Sequence, residues 1–276
     1  MFKRPFPQQK IFSFPQANVY LELCKIEVMG KSCFSYFLLL NIFFIVPDAS
    51  FCQTSVIEFK DYTIDKQIKV DSSFITMLSP YADSIKHSMN TVIGFSITGL
   101  TKHQPESTLG NFMADAMKIM AEKKFNKKIA ASFVNYGGIR SYIPKGDITV
   151  GTVYELMPFD NLIVLQEISG KILQQLLDKT AASGGWPVAG ITLTIKGKKA
   201  VNVLIDDKPI DENAKYVIAN SDYVANGGDD CSMLKGIPVQ NINYLYRDAL
   251  IEYILFITKQ GKPISVKTEN RVVYAN

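Results

Sequence analysis

Three short stretches of this 276-residue chain end apolar runs in residue types that bind rather than bury. Asn135-Tyr136-Gly137-Gly138-Ile139-Arg140 follows "ASFV", Pro158-Phe159 precedes the turn pair Asp160-Asn161, and Asn226-Gly227-Gly228-Asp229 follows "YVIANSDYVA", which carries Tyr223. Adjacent glycines permit positive φ and close backbone approach, so Arg140 can be aimed back over its own turn. Each stretch alone reads first as a tight turn with a buried Phe or a surface Arg. Taken together they offer a guanidinium for phosphate or ribose oxygens, an amide that both donates and accepts, and two rings able to sandwich a flat base. That set suits a nucleotide better than a sugar or a peptide.

The motifs that are missing narrow the chemistry. There is no phosphate-binding GxxxxGK[ST] loop, no GxGxxG turn, no GxSxG elbow and no CxxC pair. His87 and His103 are the only histidines, and neither lies in a metal-binding pattern. A two-metal hydrolytic site draws on several His and Asp ligands, so no metal site is expected in this chain and it is expected to be inactive alone. The pairs Asp206-Asp207 and Asp229-Asp230 read as solvated turns before cation sites.

Loop tips of this kind need a framework. Phe74, Met77, Leu78, Tyr81, Ile85 and Met89 recur at helical spacing and predict a helix over 73–89 with a kink at Pro80. "ESTLGNFMADAMKIMAEKK" predicts a second, capped by Ser107 or Thr108, with its methionines as core filler. The period then switches to two: "IAASFVNY" and "LIVLQEI" read as buried strands, and "GITLTIKGKKAVNVLI" as a β-hairpin. "SGKILQQLLDKTAA" and "NYLYRDALIEYILFITKQGK" read as further helices, the last closed by Gly261. Helices and strands mix without a repeating βαβ unit, which predicts a single α+β domain with antiparallel and mixed sheet over 53–276.

The N-terminus reads as a targeting segment. Lys31 precedes the apolar run Cys33–Val46, which breaks at "PDASFCQ"; the run is shorter than the ~20 residues a membrane helix needs, so no stable membrane span is expected. Met29 is the better start, so residues 1–28 are read as an over-extended start and 29–52 as a signal peptide. Bulky Phe51 argues against lipidation at Cys52. The expected location is exported, periplasmic or associated with the cell envelope. Cys231 is the one cysteine securely in the mature chain and is expected to be buried. A formal net charge of +4 is too mild to indicate a nucleic-acid partner.

The blocks "ESTLGNFMADAM", "NYGGIR", "GDITVGTVYELMPFDN" and "YVIANSDYVANGGDD", in this order, resemble the C-terminal domain of the 5′-nucleotidase and UDP-sugar hydrolase family over about residues 90–274. The resemblance implies a substrate-binding domain of that type, with Asn135 on the base, Arg140 toward ribose or phosphate, Phe159 and Tyr223 clamping the base, Asp229 on the ribose hydroxyls, and Gly137 and Gly138 shaping the turn. Tyr223 stands where the family carries phenylalanine. His103 stands where it usually carries an arginine, and an imidazole grips phosphate less well than a bidentate guanidinium. The family's two-metal phosphatase domain has no counterpart here. The resemblance therefore implies a split 5′-nucleotidase or nucleotide-sugar hydrolase of nucleotide catabolism, whose divalent metals sit in a separate metallophosphatase chain. The alternative is a stand-alone exported nucleoside-binding or scaffold protein. The helix at 73–89 is a candidate contact for the partner chain, or else a cap on the domain's own core.

Overall fold

The computed structural model describes residues 71–275; the expected start and signal segments lie outside the described residues. The first helix, α1 (Ser72–Met89), begins at Asp71, whose carboxylate accepts from the N–H groups of Ser73 and Phe74 at 2.9 and 3.2 Å. It runs on through Pro80 rather than ending there. No residue of α1 is buried, and Phe74, Ile75, Met77, Tyr81 and Ile85 are each more than half exposed. The helix therefore does not cap the domain's own core.

After α1, β1 (Val92–Ser96) leads to α2 (Thr108–Phe125), which is capped by the Ser107 hydroxyl accepting from Gly110 N–H at 3.0 Å. There follow β2 (Ala131–Phe133), β3 (Gly146–Thr149), α3 (Val150–Leu156), β4 (Leu162–Ser169) and α4 (Gly170–Ala182). Next come β5 (Val188–Ala189), β6 (Ile191–Lys196), β7 (Lys199–Ile205), β8 (Lys208–Pro209), β9 (Lys215–Ser221) and the single turn α5 (Asp222–Ala225). β10 (Val239–Leu245), α6 (Tyr246–Lys259) and β11 (Val272–Tyr274) complete the order. The predicted hairpin is present, β6 and β7 pairing antiparallel across Gly197-Lys198. The last helix starts later than its sequence pattern indicates: Asn243–Leu245 belong to β10, paired with β4.

Three sheets carry these strands among the described residues. A five-stranded sheet in the order β10-β4-β9-β2-β5 is antiparallel except where β9 meets β2. A four-stranded sheet, β11-β6-β7-β8, is parallel only at β11/β6, and β1 pairs with β3 antiparallel. The fold is thus α+β with antiparallel and mixed sheets, as the sequence predicts.

Inside its exposed edge strand β10, the five-stranded sheet is buried on both faces. Side chains alternate across a strand, and in β9 Ile218 and Ala219 go to different cores. One core holds the α2 stripe (Leu109, Phe112, Met113, Met117, Met120) with Leu250 and Ile254 of α6. The other holds Leu173, Leu176 and Leu177 of α4 with Trp186, the hairpin residues Leu193 and Ile195, and the expected buried Cys231. Burying one Leu-sized side chain contributes roughly 1.5–3 kcal/mol, so a sheet gripped from both sides makes a stiff base for the loops at its ends.

Candidate functional site

The loops that leave β2, precede β4 and follow β9 meet at one end of the five-stranded sheet. They enclose a cleft of about 390 Å³ lined by Asn135, Gly137, Gly138, Arg140, Phe159, Asn161, Tyr223 and Asp229. Every candidate singled out in the sequence lines it except His103, whose ring meets Thr101 Oγ1 at 3.0 Å through Nε2.

After β2 the chain makes a 3-10 turn over Tyr136–Gly138, with Gly138 N–H donating to Asn135 O at 3.0 Å. Neither Gly137 nor Gly138 has a positive φ, so handedness is not what this turn asks of glycine. Space is: a Cβ on Gly138 would stand 2.8 Å from Asn135 Oδ1, and one on Gly137 would meet nothing within 4 Å. Gly138 lets the Asn135 amide fold over the turn, and Gly137 keeps that wall low. Asn135 is buried and donates through Nδ2 to Asp229 Oδ2 at 2.9 Å.

Arg140 leaves this turn with its own N–H bonded to Leu156 O of α3 at 3.0 Å. Its guanidinium donates to Gly137 O at 3.4 Å and lies 5.8 Å from the Phe159 ring centre, within cation–π range. Beneath the turn sits a cation that sequence reasoning passed over. Lys102 Nζ donates to Tyr136 O at 3.3 Å and Ile139 O at 2.8 Å and lies 4.2 Å from the Tyr136 ring centre. Burial, and then the charge of Arg140, pull the Lys102 pKa below the usual lysine value. Lys102 immediately precedes His103, so the turn keeps a positive group one residue from the candidate histidine.

The second wall carries Phe159, 40% exposed. Its loop is held from behind by Arg247 of α6, which donates to Phe159 O at 3.3 Å and Asp160 Oδ1 at 2.7 Å and lies 4.3 Å from the Tyr154 ring centre. Asn161 O accepts from Tyr246 N–H at 2.9 Å. Nothing local marks Arg247 in the sequence, because its partners lie 87 and 88 residues earlier.

The third wall is the β9–α5 corner. Tyr223, 46% exposed, donates to Asp229 Oδ1 at 3.1 Å and accepts from Asp229 N–H at 3.2 Å. Asp222 ties this wall to the second: its Oδ1 accepts from Leu162 N–H at 3.0 Å and Tyr223 N–H at 2.9 Å. The two rings therefore hang from loops joined through one carboxylate.

The residues that line the cleft hold no nucleophile–base pair. Its only lining carboxylate, Asp229, is already engaged by Asn135 and Tyr223, and among the described residues no group of three or more His, Cys, Asp or Glu could hold a metal ion. The residues of the cleft do not fit a catalytic metal pair. No helix among the described residues is long and apolar enough to cross a membrane.

Comparison with known proteins gives this cleft its setting. Residues 84–236 match the family model described as the 5′-nucleotidase C-terminal domain. The trifunctional nucleotide phosphoesterase YfkN of Bacillus subtilis is 29% identical over 231 residues, covering 76% of this chain and 16% of that protein. UshA of Yersinia enterocolitica is 27% identical over 195 residues, covering 68% of this chain and 35% of that protein. Among solved structures, the 5′-nucleotidase precursor of Thermus thermophilus superposes with a TM-score of 0.64 at 26% identity, over 75% of this chain and 44% of that one. The chain thus spans less than half the length of each of these relatives. The matched region contains every residue that lines the cleft, and the chain belongs to the 5′-nucleotidase C-terminal domain family.

Proposed function

We propose that the cleft binds the nucleoside part of a nucleotide or nucleotide sugar, and that the domain presents its phosphate to a separate metallophosphatase chain in an exported compartment, as half of a split hydrolase of nucleotide catabolism. The observation that carries this reading is the convergence of Phe159, Tyr223, Arg140 and the Asn135–Asp229 pair in one cleft. The rings stack on a base from partly exposed faces, Asp229 accepts from sugar hydroxyls, and Arg140 and Lys102 bias the rim toward an anion. Two stacked faces supply about 1–3 kcal/mol each and a charge-assisted contact about 1.5–3, against several kcal/mol of lost translational freedom. Affinity for a free nucleoside is then high micromolar to millimolar, on the order of 4–6 kcal/mol.

The divalent metals belong to the partner, and the partner must form an interface of at least about 1,000 Å² to be stable. The exposed apolar face of α1 supports a contact there. Purified alone, the chain should release no phosphate from AMP or UDP-glucose with manganese, zinc or cobalt present. Co-expressed with a metallophosphatase encoded beside it, it should co-elute and raise nucleotidase activity in an Arg140-dependent way. A partner that is equally active alone, or never co-elutes, removes the split enzyme and leaves a stand-alone nucleoside-binding or scaffold protein.

A further inference from the structure

We propose that the Tyr223 hydroxyl is a positioning group that fixes Asp229 as a paired acceptor for two neighbouring sugar hydroxyls, so that Tyr223 reads the base with its ring and the sugar through its phenol. The proposal rests on the nucleoside reading above; what it adds is the role of the hydroxyl. That oxygen closes a small ring around Asp229, donating to Oδ1 at 3.1 Å and accepting from the same residue's N–H at 3.2 Å. Asn135 Nδ2 holds the other carboxylate oxygen at 2.9 Å. Asp229 needs such restraint, because its backbone sits in the left-handed region at φ 51°, ψ 38°, which a β-carbon disfavours.

Gly228 makes the arrangement sterically possible. A Cβ there would stand 2.5 Å from both Cε1 and Cζ of Tyr223, so the phenol lies directly against bare backbone, with its hydroxyl brought to the next residue. Each carboxylate oxygen offers about two lone-pair sites. With one on each taken inside the protein, a second on each remains, two acceptors side by side with their direction already set. A pair of adjacent hydroxyls is the ligand chemistry that satisfies both. Phenylalanine at this position would keep the ring and lose both bonds to Asp229, leaving Asn135 as the carboxylate's one side-chain restraint among the described residues.

The test uses the full chain and its Tyr223→Phe and Asp229→Asn variants, titrated by NMR with adenosine and with 2′,3′-dideoxyadenosine, and with the corresponding uridine pair. Wild type should prefer the ribonucleoside. In Tyr223→Phe that preference should shrink by about fivefold, from part of a charge-assisted hydrogen bond, while dideoxynucleoside affinity changes by less than about twofold because the stacking face is intact. Asp229→Asn should reduce the preference as well, and adding Tyr223→Phe to it should change little more, as expected for two groups acting as one unit. An unchanged preference in Tyr223→Phe, or an equal loss for both nucleosides, overturns the role of the hydroxyl and leaves the nucleoside site standing. If wild type binds neither nucleoside of either pair, the reading underneath fails and this inference with it.

Discussion

Arg247 offers the sharpest separation of folding from binding in this domain. Arg247→Met keeps the apolar stem on α6 and removes the guanidinium that holds the Phe159 loop. The ion pair with Asp160 is strongly screened, since the Asp160 side chain is 82% exposed, and contributes only about 0–1 kcal/mol. The bond to Phe159 O is long at 3.3 Å and belongs at the low end for a charged donor, about 1.5 kcal/mol; the contact with the Tyr154 ring adds about 0.5–1. Against these, Arg247 Nε is buried with no hydrogen-bond partner among the described residues, which costs about 1–3 kcal/mol and is relieved by methionine. The terms largely cancel, so net destabilisation should centre near ~1 kcal/mol, a Tm change of roughly 2–4 °C for a domain of this size.

Binding should suffer more. Without its anchor the Phe159 loop must be ordered by the ligand, and fixing even one residue's backbone costs about 1–2 kcal/mol, or roughly 5–30-fold in Kd. Thermal denaturation and adenosine titration of the same samples read the two effects separately. A large fall in Tm with unchanged affinity would refute the reasoning, because Arg247 would then serve the fold and not the loop.

Two further outcomes follow from groups near the cleft. Burial pushes the Cys231 thiol from 9.0 up to about 11; between those values the unfolded state binds fewer protons than the folded one, so stability falls as pH rises. Denaturant titrations should show wild type losing stability more steeply than Cys231→Ala from pH 9 to 11, with equal slopes counting against it, and the native thiol should resist alkylation. Lys102→Met should cost about 1–2 kcal/mol through the two turn carbonyls it releases and weaken AMP several-fold more than adenosine; an unchanged ratio of the two affinities would confine Lys102 to shaping the turn.

What the sequence shows of this site follows from the range of each signal. The α2 stripe and the β6–β7 hairpin are visible because their periods lie within a dozen residues, and the cleft residues because each sits where an apolar run meets a turn. The β10 strand is hidden: Val239–Ile242 is exposed along its length, so no alternation marks it, and its last residues blend into the α6 pattern. Lys102 and Arg247 act across long sequence separations, Lys102 on carbonyls 34 and 37 residues away. Neither type nor spacing announces such contacts. Gly137 and Gly138 are recognisable as special, yet backbone handedness is not the reason: at Gly138 it is space for the Asn135 amide, and at Gly137 a Cβ would meet nothing within 4 Å.

Asp222 has a consequence beyond its hydrogen bonds. Because one carboxylate oxygen receives N–H groups from both ring-bearing loops, the gap between the rings is a property of the scaffold and is set before any ligand arrives. Moving one loop breaks a bond to the other, so neither wall can be redesigned in isolation. A change of preferred ligand is then most readily made by exchanging side chains on loops that stay where they are. The Tyr223 hydroxyl, bonded to Asp229 on both sides, is a detail that such an exchange could add or remove without moving either wall.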